Sequence, residues 1–314
     1  MKCIVTGGAG FIGSHIAERL AAGGNDVIAI DNLESGSLEN IKKIKNRVQF
    51  AKADISNIGV ISPLFAGADC VFHHAALASV PESIKNPKLC EKANVIGTKN
   101  VLEAARKNDV SRVVLASSAA VYGDTSIFPT GESAPLLSKS PYAASKVQNE
   151  KDARHYFENW GIKTVSLRYF NVYGPRQNPS SQYSGVISKF SSLMKSGVAP
   201  TIYGDGRQTR DFIYVSDVVD ANILASEAKS GFGKAYNIAT GKETSVISIC
   251  SAIAKISKNE CKVNFEPARE GDIVRSCADI SLAKKQFGFE PKVKLDAGLK
   301  KCLANLEGYS KPRK

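Results

Sequence analysis

The sequence has no C-x-x-C pair, although it contains seven cysteines scattered from Cys3 to Cys302. An odd number without short spacings argues against a disulfide framework and a zinc ribbon, so the thiols are expected to be reduced and mostly buried. Histidine is scarce, and His73 and His74, adjacent on one predicted strand, point to opposite faces with no further His or carboxylate cluster to complete a metal set. No metal is expected. No uncharged apolar run approaches the about 18 residues that cross a bilayer, and residues 2–6 read as a strand rather than as a leader with a cleavage site. A cytoplasmic protein without a membrane partner is expected. Internal repeats and low-complexity tracts are missing, and 25 Gly with 12 Pro is too few for a collagen-like chain. Acidic residues are the minority, giving a net charge of +12, yet there is no long basic block beyond the tail Lys311, Arg313, Lys314. That distribution suits a solvated lysine-rich surface and anionic small molecules, and no nucleic-acid partner is expected. Trp160, the single tryptophan, ends a predicted helix and is expected to pack rather than to stack on bases.

What is present is an ordinary globular composition, 43% apolar and 23% charged over 314 residues, enough to bury a sizeable core. In the first half short apolar runs alternate with helical patterns. Strands are predicted at Cys3–Thr6, Val27–Ile30, Val48–Ala51, Cys70–His73, Val113–Ala116 and Thr164–Leu167, with helices over Ile12–Ala22, Asn94–Lys107 and Pro141–Asn159. Ser140 is the candidate N-cap of the last helix and Pro141 its first residue. Such alternation predicts an α/β fold with a doubly wound parallel sheet of Rossmann type. After Gly174 the pattern turns irregular, with short strands near Thr201–Tyr203 and Val263–Glu266 and helices near Val215–Lys229 and Val246–Ile256. This predicts a nucleotide-binding domain over 1–174 and a smaller α/β substrate domain over 175–314, interleaved with the first.

The strongest local signal is Thr6-Gly7-Gly8-Ala9-Gly10-Phe11-Ile12-Gly13, between the first strand and the first helix. Glycines at these spacings permit a tight turn and let a pyrophosphate approach backbone N–H groups at the helix N-terminus. The second strand ends at Asp31, about 20 residues on, where a carboxylate bonds a ribose 2′-hydroxyl and repels a 2′-phosphate. Asn32 follows it, with no Arg to accept such a phosphate, so NAD is favoured over NADP. A second signal is Tyr142 and Lys146, four apart on one helix face, where an ammonium beside a phenol favours the phenolate and makes a base near neutral pH. Ser117 and Ser118 follow a parallel strand, at the end of the sheet where ligands bind.

These motifs, with Asp54-Ile55, His74-Ala75-Ala76, Asn94, Ser117-Ser118-Ala119-Ala120-Val121-Tyr122-Gly123, Arg168-Tyr169-Phe170-Asn171-Val172-Tyr173-Gly174 and Arg210-Asp211-Phe212, resemble the extended short-chain dehydrogenase/reductases that act on nucleotide sugars. The resemblance covers nearly the whole chain and is strongest to the UDP-hexose 4-epimerases, within them to the UDP-N-acetylglucosamine 4-epimerases. It implies a tightly held NAD, lined by Gly7, Gly10, Phe11, Ile12, Gly13, Asp31, Asn32, Ser35, Gly36, Asp54, Ile55, Ala75, Ala76, Asn94, Tyr142, Lys146 and Tyr169. It also implies Tyr142 as base, Lys146 lowering its pKa and holding the nicotinamide ribose, and Ser118 bonding the sugar O4. Asn171, Gln177, Lys189, Arg210 and Arg269 resemble the family's diphosphate and sugar contacts, and Asp272 its uridine-ribose contact. A homodimer through a four-helix contact is implied, made by the helices Asn94–Lys107 and Pro141–Asn159, with Val101, Leu102 and Ala105 offering apolar groups.

Substitutions narrow the reaction. In sugar 4,6-dehydratases the run before Val-Tyr-Gly carries Asp and Glu, whereas this chain has Ala119 and Ala120, so nothing there drives elimination of water. Uronate 4-epimerases commonly show Thr where Asn171 stands, which favours a neutral hexose. Ser276 stands where enzymes that exclude acetylated sugars often place Tyr, and Ser79 with Gln177 can hydrogen-bond an N-acetyl carbonyl. The expected activity is therefore 4-epimerisation of UDP-GlcNAc and UDP-GalNAc, with UDP-Glc and UDP-Gal as further substrates. The alternatives are an epimerase restricted to plain hexoses, another nucleotide-sugar reductase or dehydratase, and a non-catalytic NAD-binding scaffold.

Overall fold

The computed structural model describes residues 1–178, 185–258, 260–268 and 273–306. In chain order its strands are β1 (Lys2–Thr6), β2 (Asp26–Asp31), β3 (Gln49–Lys52), β4 (Cys70–His73), β5 (Arg112–Ser118), β6 (Lys163–Tyr169), β7 (Asn171–Tyr173), β8 (Thr201–Tyr203), β9 (Thr209–Tyr214), β10 (Lys234–Ile238), β11 (Glu243–Ser245) and β12 (Asn264–Glu266). Seven of them form one sheet in the order β10-β6-β5-β4-β1-β2-β3, parallel throughout. From β1 the chain steps to one side with β2 and to the other with β4, which opens a crevice beyond the carboxyl ends of these strands.

Strand residues alternate between two buried faces. Cys3, Val5, Val27, Ala29 and Val114 share one apolar cluster with Ile16 and Leu20 of the helix Phe11–Ala22. Ile4, Ile28, Ile30, Val71, Val113 and Leu115 share the other with Val101, Leu102, Ala104 and Ala105 of the helix Gly97–Lys107. A sheet covered on both faces needs apolar residues at successive positions, which is why these strands read as continuous hydrophobic runs. The same packing corrects one expectation: Val101, Leu102 and Ala105 are fully buried against the sheet and offer nothing to a second subunit.

All six strands expected in the first half are present, and the helix Pro141–Trp160 begins as expected, with the Ser140 hydroxyl accepting the Ala143 N–H at 3.1 Å. The helix expected from Asn94 starts instead with a π-helical turn, Glu91–Ile96, before Gly97–Lys107. The seventh strand, β10, had no counterpart in the sequence reading. It comes after the helix Val215–Glu227 and pairs in parallel with β6, so the chain returns to the large sheet late. Beside that sheet lie β11-β9-β7 and β12-β8. The helices Val186–Lys195, Val246–Ser257 and Leu295–Leu306 bury Ile187, Phe190, Ile249, Ile253 and Leu299 in a cluster of their own. Among the described residues no helix is long and apolar enough to cross a membrane.

Candidate active site

A cavity of about 750 Å³ lies in the crevice, lined by the loop of Gly7, Gly10, Phe11, Ile12 and Gly13, by Asp31, Asn32, Ser35, Asp54, Ile55, Ala75 and Ala76, and by Tyr142, Lys146, Tyr169 and Gln177. Two of the loop's glycines tolerate no side chain. Gly7 has φ +67° with its missing Cβ 2.7 Å from the Ala75 nitrogen, and a Cβ on Gly13 would stand 2.2 Å from the Gly7 carbonyl oxygen. Gly10 gives the helix Phe11–Ala22 no side-chain cap, so its first N–H groups are left for an anion. The buried Asp31 carboxylate is held by the N–H groups of Ala9 (3.0 Å) and Leu33 (2.8 Å). Each oxygen keeps a lone pair for a ribose hydroxyl. Gly36 lies behind this carboxylate rather than on the cavity. These donors and this acceptor fit the pyrophosphate and adenosine ribose of NAD.

The wall beside the loop is pinned by two side chains. The Thr6 hydroxyl accepts the N–H groups of His74 (3.2 Å) and Ala75 (3.3 Å) and bonds His73 Nδ1 at 2.7 Å. Asn94, expected to touch the cofactor, does not line the cavity. Carried inward by the π-helical turn, its amide accepts the Leu77 N–H at 2.7 Å and donates to the Leu77 carbonyl at 3.1 Å and the Ser145 hydroxyl at 2.9 Å. It joins the cavity wall to the helix that carries Tyr142.

Tyr142 is buried, its N–H donating to the Ser83 hydroxyl at 3.1 Å, and Lys146 Nζ donates to the Ala116 carbonyl at 2.8 Å. Burial pushes the Tyr142 phenol above its usual value, and the hydrogen bond with Ser118 pulls the other way. The Lys146 ammonium sits 5.8 Å from the Tyr142 ring centroid, and burial drives Lys146 itself down to about 8. Ser118, at the end of β5, also accepts the Ala120 N–H at 3.2 Å. Its neighbour Ser117 donates to Glu150 Oε1 at 2.6 Å, and Glu150 is paired with Arg168.

On the expected sugar side, Ser79 and Gln177 line the cavity. Ser79 is also a helix cap, its hydroxyl accepting the Glu82 N–H at 3.0 Å. Asn171, Lys189, Arg210 and Ser276 do not line this cavity. Asn171 donates to the Asp211 carbonyl at 3.3 Å and Arg210 to the Thr209 carbonyl at 2.9 Å. Lys189 lies on the helix Val186–Lys195, and Ser276 is half-buried between β12 and the helix Ser281–Phe287. Arg269 and Asp272 lie outside the described residues.

His74, which the sequence predicts only as a strand end, lines the cavity. Its ring stacks on Tyr169 with Nε2 2.9 Å from the phenol oxygen, and burial, then the Lys146 charge, lowers its pKa to about 3, so it stays neutral. Position alone could have flagged it, since it directly precedes Ala75. Glu82 and Leu77 also line the cavity and carry no comparable signal. Among the described residues no group of His, Cys, Asp and Glu could hold a metal ion.

Fold and site together define an NAD-binding enzyme of the extended short-chain dehydrogenase/reductase class. The chain belongs to the NAD dependent epimerase/dehydratase family, whose model matches residues 3–239. It is 39% identical over 307 residues to a UDP-glucose 4-epimerase of Mycolicibacterium smegmatis, covering 96% of this chain and 97% of that one. Its fold superimposes with a TM-score of 0.94 on a UDP-glucose 4-epimerase of Thermotoga maritima with UDP-glucose, at 36% identity, covering 99% and 100% of the two chains. The UDP-N-acetylglucosamine 4-epimerase of Methanobrevibacter ruminantium in complex with UDP-N-acetylmuramic acid is equally similar, with a TM-score of 0.94 and 37% identity over 98% of each chain.

Proposed function

We propose that this protein interconverts the C4 epimers of UDP-hexoses, accepting UDP-GlcNAc and UDP-GalNAc as well as UDP-Glc and UDP-Gal. The observation that carries this is the hydrogen bond between Tyr142, which lines the cavity, and Ser118, which directly follows the lining residue Ser117 and opens a turn occupied by Ala119 and Ala120. Ser118 holds the sugar O4 and Tyr142 removes its proton. NAD held by the Gly7–Gly13 loop and Asp31 would supply the acceptor and donor for the C4 hydride, and the 4-keto sugar turns its other face to it before reduction. Tyr142 then returns the proton to O4. Without an acid or base in the alanine turn no hydroxyl leaves, so the ketone is reduced again. Asn171 in place of Thr supports a neutral hexose over a uronate.

Residues 1–174 hold the cofactor, and 175–314 supply most of the UDP-sugar contacts, with Asn171, Lys189, Arg210 and Arg269 on the diphosphate and sugar and Asp272 on the uridine ribose. The protein acts in the cytoplasm as a homodimer through the helices Gly97–Lys107 and Pro141–Trp160. Its contact uses the outer side of these helices and of the turn Glu91–Ile96, where Trp160 and Ile96 are 46% and 47% exposed, instead of the inward Val101, Leu102 and Ala105.

Purified protein incubated without added NAD should interconvert all four sugars, read by chromatography of the products. Hydride returns in every turnover, so retained cofactor suffices. Loss of water, a net redox product or strict dependence on NADP would overturn the reading. For the acetamido preference, Ser276→Tyr is expected to lower kcat/KM for UDP-GlcNAc relative to UDP-Glc by about ten- to a hundredfold, a clash of ~1–3 kcal/mol. Equal losses with both sugars would remove Ser276 from the C2 pocket.

A further inference from the structure

We propose that Arg176 is a positioning residue, whose guanidinium straps the turn Gly174–Gln177 to the cofactor helix Phe11–Ala22 and so sets where Gln177 stands in the cavity. The inference rests on the UDP-sugar reading above. Among the described residues Arg176 is one of four non-glycine residues at positive φ, +68°. A side chain rarely adopts that conformation, and it persists where surrounding contacts over-determine it.

Three contacts from one helix do so here. The Arg176 guanidinium pairs with the Glu18 carboxylate, and its Nη1 donates to the Ser14 hydroxyl at 3.2 Å. Ser14 in turn donates to the Phe11 carbonyl at 3.0 Å, which fixes it as the acceptor. His15 Nε2 lies 3.0 Å from the Pro175 carbonyl, so that nitrogen must be the donor. Burial, and then the Arg176 charge, lowers His15 to about 4 and keeps the ring neutral. Arg176 is only 15% exposed against 38% for Glu18, so the pair is half out of water and the arginine is its anchored member.

Beyond the strap, the Gln177 N–H closes the turn on the Gly174 carbonyl at 3.4 Å and its amide nitrogen donates to the Val172 carbonyl at 3.3 Å. That leaves the amide oxygen buried and without a partner among the described residues, on a side chain that lines the cavity. Such an oxygen accepts a hydroxyl or amide N–H of a ligand, and an unmet acceptor is costly enough to select for one. The helix that anchors the strap also presents its N-terminal N–H groups to the cofactor. Cofactor grip and sugar grip therefore share one rigid element.

The test titrates UDP-glucose calorimetrically into the NAD-loaded protein and follows turnover alongside. Arg176→Ala is expected to weaken UDP-glucose binding by about tenfold, about 1.4 kcal/mol. The kcat at saturation should stay within about threefold and the retained NAD should be unchanged. Glu18→Ala should weaken binding less, add nothing in the double variant, and Arg176→Lys should restore most of the affinity. Unchanged affinity in Arg176→Ala, additive losses, or a fall in kcat with KM unaltered would overturn the proposal. If Arg176→Ala does not fold, Glu18→Ala decides it, and unchanged affinity in that variant overturns it. Wild-type protein that binds UDP-glucose without epimerising it would strike the proposed function alone, while failure to bind would overturn both.

Discussion

Tyr142→Phe is expected to lower kcat by about 10²–10⁴, the range a positioned general base contributes, with KM changed only a few-fold and NAD still bound. The phenol oxygen is the only atom removed. The ring stays buried, the backbone N–H keeps its bond to Ser83 at 3.1 Å, and Lys146 keeps its bond to the Ala116 carbonyl at 2.8 Å. The cofactor loop, on β1 and the first helix, does not depend on the phenol. Quenched time courses with UDP-glucose, alongside the absorbance of bound cofactor, measure the two quantities separately. A variant within tenfold of wild type would remove Tyr142 from the proton transfer, and a variant that lost NAD as well would point to damage of the cavity.

Arg168→Met is expected to destabilise the fold by about 3–5 kcal/mol, the cost of leaving one partner of a buried ion pair uncompensated. Arg168 and Glu150 are 6% and 11% exposed and meet through two bonds, Nη2–Oε2 at 2.7 Å and Nε–Oε1 at 2.8 Å. Burial works against the Arg168 cation, but the Glu150 carboxylate more than restores it and leaves the guanidinium harder to deprotonate than usual. Arg168 also donates to the Tyr122 phenol at 2.8 Å and the Glu132 carbonyl at 3.2 Å, while Ser117 donates to Glu150 at 2.6 Å. One cation thus joins β6, β5, the helix of Tyr142 and the turn after Ser118. Denaturant unfolding measures the loss, and the double change Arg168→Met with Glu150→Leu should recover part of it, because no charge is then left buried alone. A loss below about 1 kcal/mol in the single variant would show that water reaches Glu150.

The cofactor half of the site was legible because its parts are local. Gly7–Gly13, Asp31, and Tyr142 with Lys146 each follow from a strand end, a turn or one helical repeat, and the large sheet places their strands side by side. The sugar half was less legible. Lys189, Arg210 and Ser276 sit on separate late elements off this cavity, and their roles rest on resemblance. The strand β10 escaped notice because Lys234–Ile238 is short and mixed, and its partner β6 lies far back in the chain.

By itself the sequence determined the doubly wound order, the phosphate loop, the choice of NAD through Asp31, and the pairing of Tyr142 with Lys146 on one helix face, since each is written in residue type and short-range spacing, while the choice of Ser118 over Ser117 rests on resemblance. Only the tertiary structure decided that Val101, Leu102 and Ala105 face inward, that Asn94 clamps a wall instead of lining the cavity, and that burial pushes the Tyr142 phenol up. It also decided that Arg176 reaches back to Ser14 and Glu18. Helical periodicity identifies an apolar stripe but not what covers it. Burial, which sets both a polar side chain's partners and its pKa, is a property of segments brought together from across the chain.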